Sequence, residues 1–440
     1  MKVFRRHKLL SIPYLLIYGA CLCFFVDFSL NLIEVNHLKD YTKNDFSEVR
    51  GYTLLNYMID YSRLKLVKFV ITLMFSIMIY MSISKIWKFT KGNYFFTFVL
   101  LVTEFLFTTI PFQYIQYSVF LAKYKPGSEY TRSVFTQSFF TFVGEYIGEC
   151  VLLLFLGCFA SITHLQKNPD ENQGQNEERL ENLNNDDEVI PANTSRGLCD
   201  GMFWVFCFIS LSSYVVLANV FAPSLLTLEQ NAYIPIVNDN ISGPSIRNLT
   251  NKVGFPISNV YISYSQRDTD SPNAYLVGVA EKKIFITETL MKVVDTPQLC
   301  AVVGHELGHY VHKDLITGMF VSIGLMLVTS LVIRYVTKKS LVDFGIPNEM
   351  PVAVILFVSS SLFKPLYSIL LPFVNSLQRR FEYNADCFSA KLGYPIGEAL
   401  TQLFKSVGQT FESAPVYSHY YDNHPLLSER IEGIKSCLAK

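Results

Sequence analysis

The chain is poor in charge. Only 17% of its 440 residues are Asp, Glu, Lys or Arg, and 37 basic residues balance 37 acidic ones. Typical soluble domains carry roughly 25% charged residues. Zero net charge removes the bulk attraction on which nucleic-acid binding rests, so no nucleic-acid partner is expected. The nine cysteines contain no CxxC pair. Cys21, Cys23, Cys150, Cys158 and Cys207 sit in apolar runs. Such cysteines read as small hydrophobes in a reducing or lipid setting, and no disulfide framework is expected. No period of 20–50 residues repeats, which excludes solenoids and propellers.

What is present in excess is apolar. Half the chain is hydrophobic, with 36 Phe and 26 Tyr. A membrane-crossing helix needs about 20 apolar residues. Seven stretches approach this: 9–33, 66–86, 94–116, 139–163, 201–225, 315–336 and 351–374. The first follows Arg5-Arg6-His7-Lys8. It is long for a signal peptide and has no small-residue cleavage site. Asp27, Glu104, Glu145 and Glu149 lie inside spans. A carboxylate facing lipid is costly, so these acids predict a bundle interior or a watery cavity. Residues 165–197 are rich in Asn, Asp, Glu and Gln and predict a solvated, disordered connector.

The expected division is therefore four membrane helices over 1–164, a linker over 165–197 and a fifth helix over 198–225. A soluble α+β region follows over 226–314, two more spans over 315–374, and a helical C-terminal segment over 375–440. In the soluble region Pro244 opens a short helix ending near Gly254. Alternation predicts strands at 259–264, 273–279 and 283–286, the last two joined by a turn at Glu281-Lys282. A short helix is expected over Glu288–Val293.

The chemistry concentrates at His305-Glu306-Leu307-Gly308-His309. Thr296 as N-cap and Pro297 at the first helical position predict a helix here. Two histidines four apart share one helix face and can meet a single Zn²⁺. Glu306 is one step round, placed to take a proton from a water that the metal activates. The bland alternative is a helix with two surface histidines. His312 lies on the same side and reads as a solvent histidine, because a catalytic zinc keeps three protein ligands and one open position. Gly308 inside a helix costs about 1 kcal/mol against Ala, which predicts a close approach by substrate or another helix. Among later acids Glu382 is the best candidate for a third ligand. Asp386, four residues on, could accept the spare N–H of a ligand histidine. Ordinary i,i+4 ion pairs of a surface helix are the alternative.

These residues carry a resemblance. His305-Glu306-Leu307-Gly308-His309, two spans, then Arg379-Arg380-Phe381-Glu382-Tyr383-Asn384-Ala385-Asp386 resembles the type I CaaX prenyl protease family of integral-membrane zinc metalloproteases. Asn273-Ala274-Tyr275 resembles the family's strand before the zinc helix, and His424-Pro425-Leu426-Leu427 with Arg430 its C-terminal motif. The likeness is strong over about 200–440 and loose over 1–200. Ala122-Lys123-Tyr124-Lys125-Pro126 stands where the family has an acidic Glu-Glu loop running into Gly-Phe-Asn.

The resemblance implies one Zn²⁺ per chain, held by His305, His309 and Glu382, with Glu306 as base and Asp386 behind a ligand. It implies that Asn273, Ala274, Tyr275, Leu276 and Val277 hold the substrate backbone. His424 and Arg430 would stabilise the tetrahedral intermediate or place the substrate. The implied fold is a mainly α membrane protein. Seven transmembrane helices would form a barrel round a water-filled chamber, with a small α+β zinc-metalloprotease domain and a helical C-terminal segment. The implied substrates are prenylated protein C-termini, cut to release the last three residues. The implied setting is the endoplasmic reticulum and contiguous nuclear membrane, in contact with lipid. Basic residues in short loops favour a cytosolic N-terminus; the family implies a cytosolic active site and a lumenal N-terminus, the orientation that cytosolic prenylated tails require. Two alternatives stand: a membrane quality-control metalloprotease without prenyl specificity, and a transporter or scaffold with a structural zinc. The oligomeric state is left open.

Overall fold

In a computed structural model of the chain, the described residues are 12–40, 48–49, 52–90, 93–115, parts of 139–223, 232–264, 272–343, 352–407 and 413–439. They are mostly helical. Four described helices are long and apolar enough to cross a membrane: Leu16–Leu38, Ile59–Ser82, Tyr94–Ile115 and Asp314–Tyr335. They correspond to the first, second, third and sixth expected spans, the first two displaced by about a turn or two. This is a multi-pass membrane protein. The expected fourth and fifth spans, the 165–197 linker, Glu145 and Glu149 lie largely or wholly outside the described residues. The seventh span and the stretch after it form one helix, Val352–Lys391, with Pro365 and Pro372 inside it.

Two compact units are present, one of residues 1–22, 70–211 and 327–364, the other of 23–69, 212–326 and 365–440. The first is built on aromatics. Trp87 near the end of α2 (Leu54–Thr90) meets Phe96 of α3 (Asn93–Glu104) edge to face at 5.2 Å. A π-helical turn, Phe105–Thr109, separates α3 from α4 (Ile110–Ile115). Glu104, at that junction, is exposed.

The second unit contains the soluble elements. It holds a two-stranded antiparallel ladder, β1 (Glu48–Val49) with β2 (Tyr52–Thr53), and a larger sheet of order β3 (Tyr233–Pro235), β4 (Val260–Ser263), β6 (Lys283–Thr287), β5 (Ala274–Val277). The β4–β6 pair is parallel and the others in this sheet antiparallel, which leaves β5 on an edge among the described residues. Central β6 is buried at every position. Helices α5 (Gly243–Val253), α6 (Glu288–Val293) and α7 (Thr296–His312) follow the expected pattern. The start of α7 needs a correction. Asp295, not Thr296, is the N-cap, and Gln298 completes a capping box with it. Asp accepts from N3 as well as Thr does, and here Thr296 is already helical. Ile246, Leu249, Ile284, Ile286, Val303 and Leu307 form the centre of the core.

The 40-residue helix is α9, and α8 (Asp314–Asp343) precedes it. α10 (Ile396–Val407), α11 (Pro415–Tyr421) and α12 (Leu427–Leu438) complete the chain. The cysteine reading is also corrected: Cys387 of α9 and Cys437 of α12 form a disulfide, with 5.8 Å between Cα atoms. The pair is 50 residues apart and owes its proximity to packing, for Gly433 of α12 lies against the Tyr383 ring of α9.

Gly308 has the second of its expected explanations. A Cβ there would stand 2.8 Å from Ala385 Cα and 3.1 Å from Ala385 Cβ. One turn earlier, a Cβ on Gly304 would meet Ser389 Oγ at 2.9 Å. That hydroxyl donates to the Ala301 carbonyl at 2.6 Å. Two glycines on α7 thus face Ala385 and Ser389 on α9, and the backbones approach closely enough for side chains one residue away to meet. Gly308→Ala forces the helices apart. We expect it to lower stability by about 1–3 kcal/mol, as overpacking does, and to weaken metal binding. Thermal melting and metal analysis would check both. An unchanged melting temperature would contradict the close crossing.

Candidate active site

The α7–α9 crossing brings His305, His309 and Glu382 together, with one ligand atom from each lying within 4.8 Å of the others. His305 Nε2 is 3.4 Å from Glu382 Oε2, and His309 Nε2 is 3.5 Å from Oε1. Each ring is held from behind. Asp386 Oδ1 lies 2.8 Å from His305 Nδ1, and Asp314 Oδ2 lies 2.8 Å from His309 Nδ1. A carboxylate only accepts, so each Nδ1 carries its proton and each Nε2 turns forward. The two Nε2 atoms face one another at 3.1 Å. Two lone pairs at that distance need a shared proton or a cation between them. Glu382 Oε2 is buried and makes no well-formed hydrogen bond among the described residues, although His424 Nδ1 is 3.0 Å away and Arg430 Nη2 3.3 Å. Two imidazoles and a spare carboxylate oxygen are a donor set that suits a zinc-like ion.

The charges point the same way. Burial works against the imidazolium form of His305, but Glu382 and the Asp386 hydrogen bond outweigh it and hold the pKa up at about 10. Burial likewise opposes charge on His309, and Asp314 with Glu382 raises it to about 9. Burial would push Glu382 up, yet His305, His309 and His424 hold it well below the ordinary carboxylate range. The cage therefore demands positive charge at the Nε2 atoms. A metal ion there would displace protons.

Asp314 was not among the residues singled out in the sequence. Its signal is an acid five positions after His309, just past the helix end. Lys313 between them adopts the left-handed region, φ 60°, which ends α7 and starts α8. That reversal lets Asp314 reach back to His309. His312 is exposed, with its ring 6.0 Å from Phe388, and is not part of the cage.

Glu306 is buried beside the cage. Burial raises its pKa, and the neighbouring imidazoles pull it partly back. Its Oε2 accepts the backbone N–H of Leu276 at 2.9 Å. Leu276 lies on edge strand β5, so that N–H points off the sheet towards the cage. Ala274 is buried, Tyr275 stacks on Phe285 at 5.5 Å, and Asn273 pairs through its backbone with Thr287. Val277 alternates with Leu276, so its N–H faces β6. Two proline variants separate these roles. Leu276→Pro removes the N–H that Glu306 accepts and should lower kcat/KM by about 10–100-fold, the range expected for an unpaired buried charge. Val277→Pro breaks the ladder and should lower the melting temperature instead. Equal behaviour of the two variants in activity and melting assays would contradict this division.

The structure sets Arg430 and His424 apart. Arg430 is buried and clamps Asp386, its Nε 2.7 Å from Oδ2 and its Nη2 2.6 Å from Oδ1. His424 has a side chain 59% exposed beside Glu382. Both line a cavity of about 620 Å³ that also contains Leu276, Glu306, Met319 and Phe381.

Residues 244–438, which carry every group of this cage, match the model of peptidase family M48. This part of the chain is similar to family M48. The probable CAAX prenyl protease 1 of Schizosaccharomyces pombe is 30% identical over 237 residues, covering 52% of this chain and 50% of the relative. The CAAX prenyl protease 1 of Saccharomyces cerevisiae is 26% identical over 255 residues, 53% of this chain and 56% of the relative. The chain spans about half the length of the curated relatives it matches. A crystal structure of S. mikatae Ste24p shares the fold, with a TM-score of 0.70 at 18% identity over 96% of this chain and 99% of that one.

Proposed function

We propose that this protein is an M48-type, zinc-dependent membrane endopeptidase that cleaves the C-terminal CaaX tail of prenylated proteins and releases the last three residues. The observation that carries the hydrolytic reading is the cage itself: two Nε2 atoms 3.1 Å apart, each ring pinned from behind by a carboxylate, with Glu306 beside them. The relatives named CAAX prenyl protease support the substrate class. His305, His309 and Glu382 would hold one zinc per chain, which when bound would supply Lewis-acid activation of water and of the scissile carbonyl. The chain's own residues do the rest. Asp386 and Asp314 keep the imidazoles in the ligating tautomer, and Arg430 anchors Asp386. Glu306 takes the proton of the attacking water and returns it to the leaving amine. The substrate pairs in extended form along β5, from Asn273 to Val277. His424, exposed to the cavity, steadies the developing oxyanion, a contribution of about 3–4 kcal/mol for a well-placed donor.

In this reading the spans form a seven-helix barrel round a watery chamber, with the division at 164, 197, 225, 314 and 374 set out above. The protein resides in the endoplasmic reticulum and nuclear membranes with its active site towards the cytosol. The test is cleavage of a farnesylated CaaX peptide by purified full-length protein, with and without a chelator, beside the same peptide unprenylated. Chelator-sensitive cleavage favouring the prenylated peptide is expected. Equal cleavage of both peptides would point to a protease without prenyl specificity. Tightly bound zinc without any cleavage would point to a structural metal.

A further inference from the structure

The segment that delivers His424 is gripped from two directions within the second unit. α9 provides one grip. Asn375 Nδ2 donates to the Tyr420 carbonyl at 2.6 Å, and Arg379 donates to Ser418 Oγ and to the His424 carbonyl, each at 3.2 Å. Arg379 also pairs with Glu429.

The other grip comes from α1 (Ile12–Asp40) and α2, the first two apolar helices. Ala414 stands at the N-cap of α11 and has no side-chain oxygen to cap it. Glu34 of α1 takes that place. Its Oε2 accepts the Ala414 N–H at 2.7 Å and the Ser413 hydroxyl at 2.9 Å. Two turns earlier, Asp27 Oδ1 accepts the Tyr421 hydroxyl at 2.5 Å. Lys65 of α2 donates to the Tyr417 hydroxyl at 2.7 Å. Both ends of α11 are thus tied to membrane-crossing helices, and Tyr421 is three residues from His424.

Such a contact is expensive for packing alone. Glu34 is 1% exposed and Asn31, on the same face, 0%. Among the described residues, Glu34 Oε1 and Asn31 Oδ1 have no hydrogen-bond partner. Apolar side chains would fill this space without leaving buried acceptors unpaired. A precise requirement on where α11 ends would explain why acids stand here.

We propose that Glu34 and Asp27 are positioning residues for the reaction: from the first membrane-crossing helix they hold α11, and through it His424, in place beside the metal cage. The proposal rests on the hydrolase reading above, and it predicts coupling between Glu34 and His424. Glu34→Ala should lower kcat about 10-fold, an effect in keeping with a small misplacement of a reacting group. KM should stay within about twofold and metal content unchanged. Glu34→Gln, which keeps an acceptor, should restore most of the rate. On a His424→Ala background the same Glu34→Ala change should cost less than about twofold, because coupled residues are not additive. Should Glu34→Ala fail to fold, Tyr421→Phe, which removes only the hydroxyl that Asp27 accepts, carries the same cycle. Hydrogen exchange over 413–424 should quicken in Glu34→Ala while α7 stays protected. Equal fold-losses on both backgrounds, or unchanged kcat and unchanged exchange, would overturn the proposal. A wild-type chain that holds zinc but cleaves nothing counts against the hydrolase reading, and the exchange result then decides the clasp by itself.

Discussion

Glu306→Gln is expected to fold, keep its metal and lose nearly all turnover. The amide keeps a carbonyl oxygen that can still accept the Leu276 N–H, the contact that Oε2 makes at 2.9 Å. The strand–helix junction should therefore survive. What the amide lacks is a site that takes up a proton near neutral pH. Burial favours the protonated form of Glu306 and so raises its pKa towards the range in which a base is most effective. Base catalysis contributes about 10²–10⁴-fold. The loss should appear in kcat, with melting temperature and zinc content near wild type. Retention of more than about a tenth of wild-type kcat would remove Glu306 from the role of base.

The second large effect belongs to Glu382. Glu382→Ala deletes the carboxylate that faces both Nε2 atoms and leaves His305, His309 and Arg430 around a gap. We expect metal affinity to fall by more than the 10–100-fold typical of groups that only support a ligand. Asp386→Ala and Asp314→Ala should fall within that smaller range, since each holds an imidazole from behind. Elemental analysis after dialysis against a weak chelator ranks the three. Full zinc in Glu382→Ala would mean that another residue ligates, and exposed His312 would then be the first to replace.

Local order along the chain determined much of this by itself. Two histidines four apart on a helix, Glu306 one step round, and strands from two-residue alternation are statements about neighbours, and neighbours in sequence share a face whatever the fold. Glu382 and Asp386 are likewise one turn apart. Gly308 was legible as an anomaly that needed a close neighbour. Only the tertiary structure decided that the neighbour is Ala385, because the depth of a helix crossing depends on both partners at once. It also decided that Asp314 backs His309, through a left-handed residue that no periodicity announces. The same holds for Arg430, which spends its charge on Asp386, and for the disulfide between Cys387 and Cys437. Glu34 shows the limit most plainly. In sequence it is one more acid near the end of an apolar helix. Its partner is a backbone N–H 380 residues away, and a hydrogen bond across that distance is specified by the packing of whole helices, not by any local pattern.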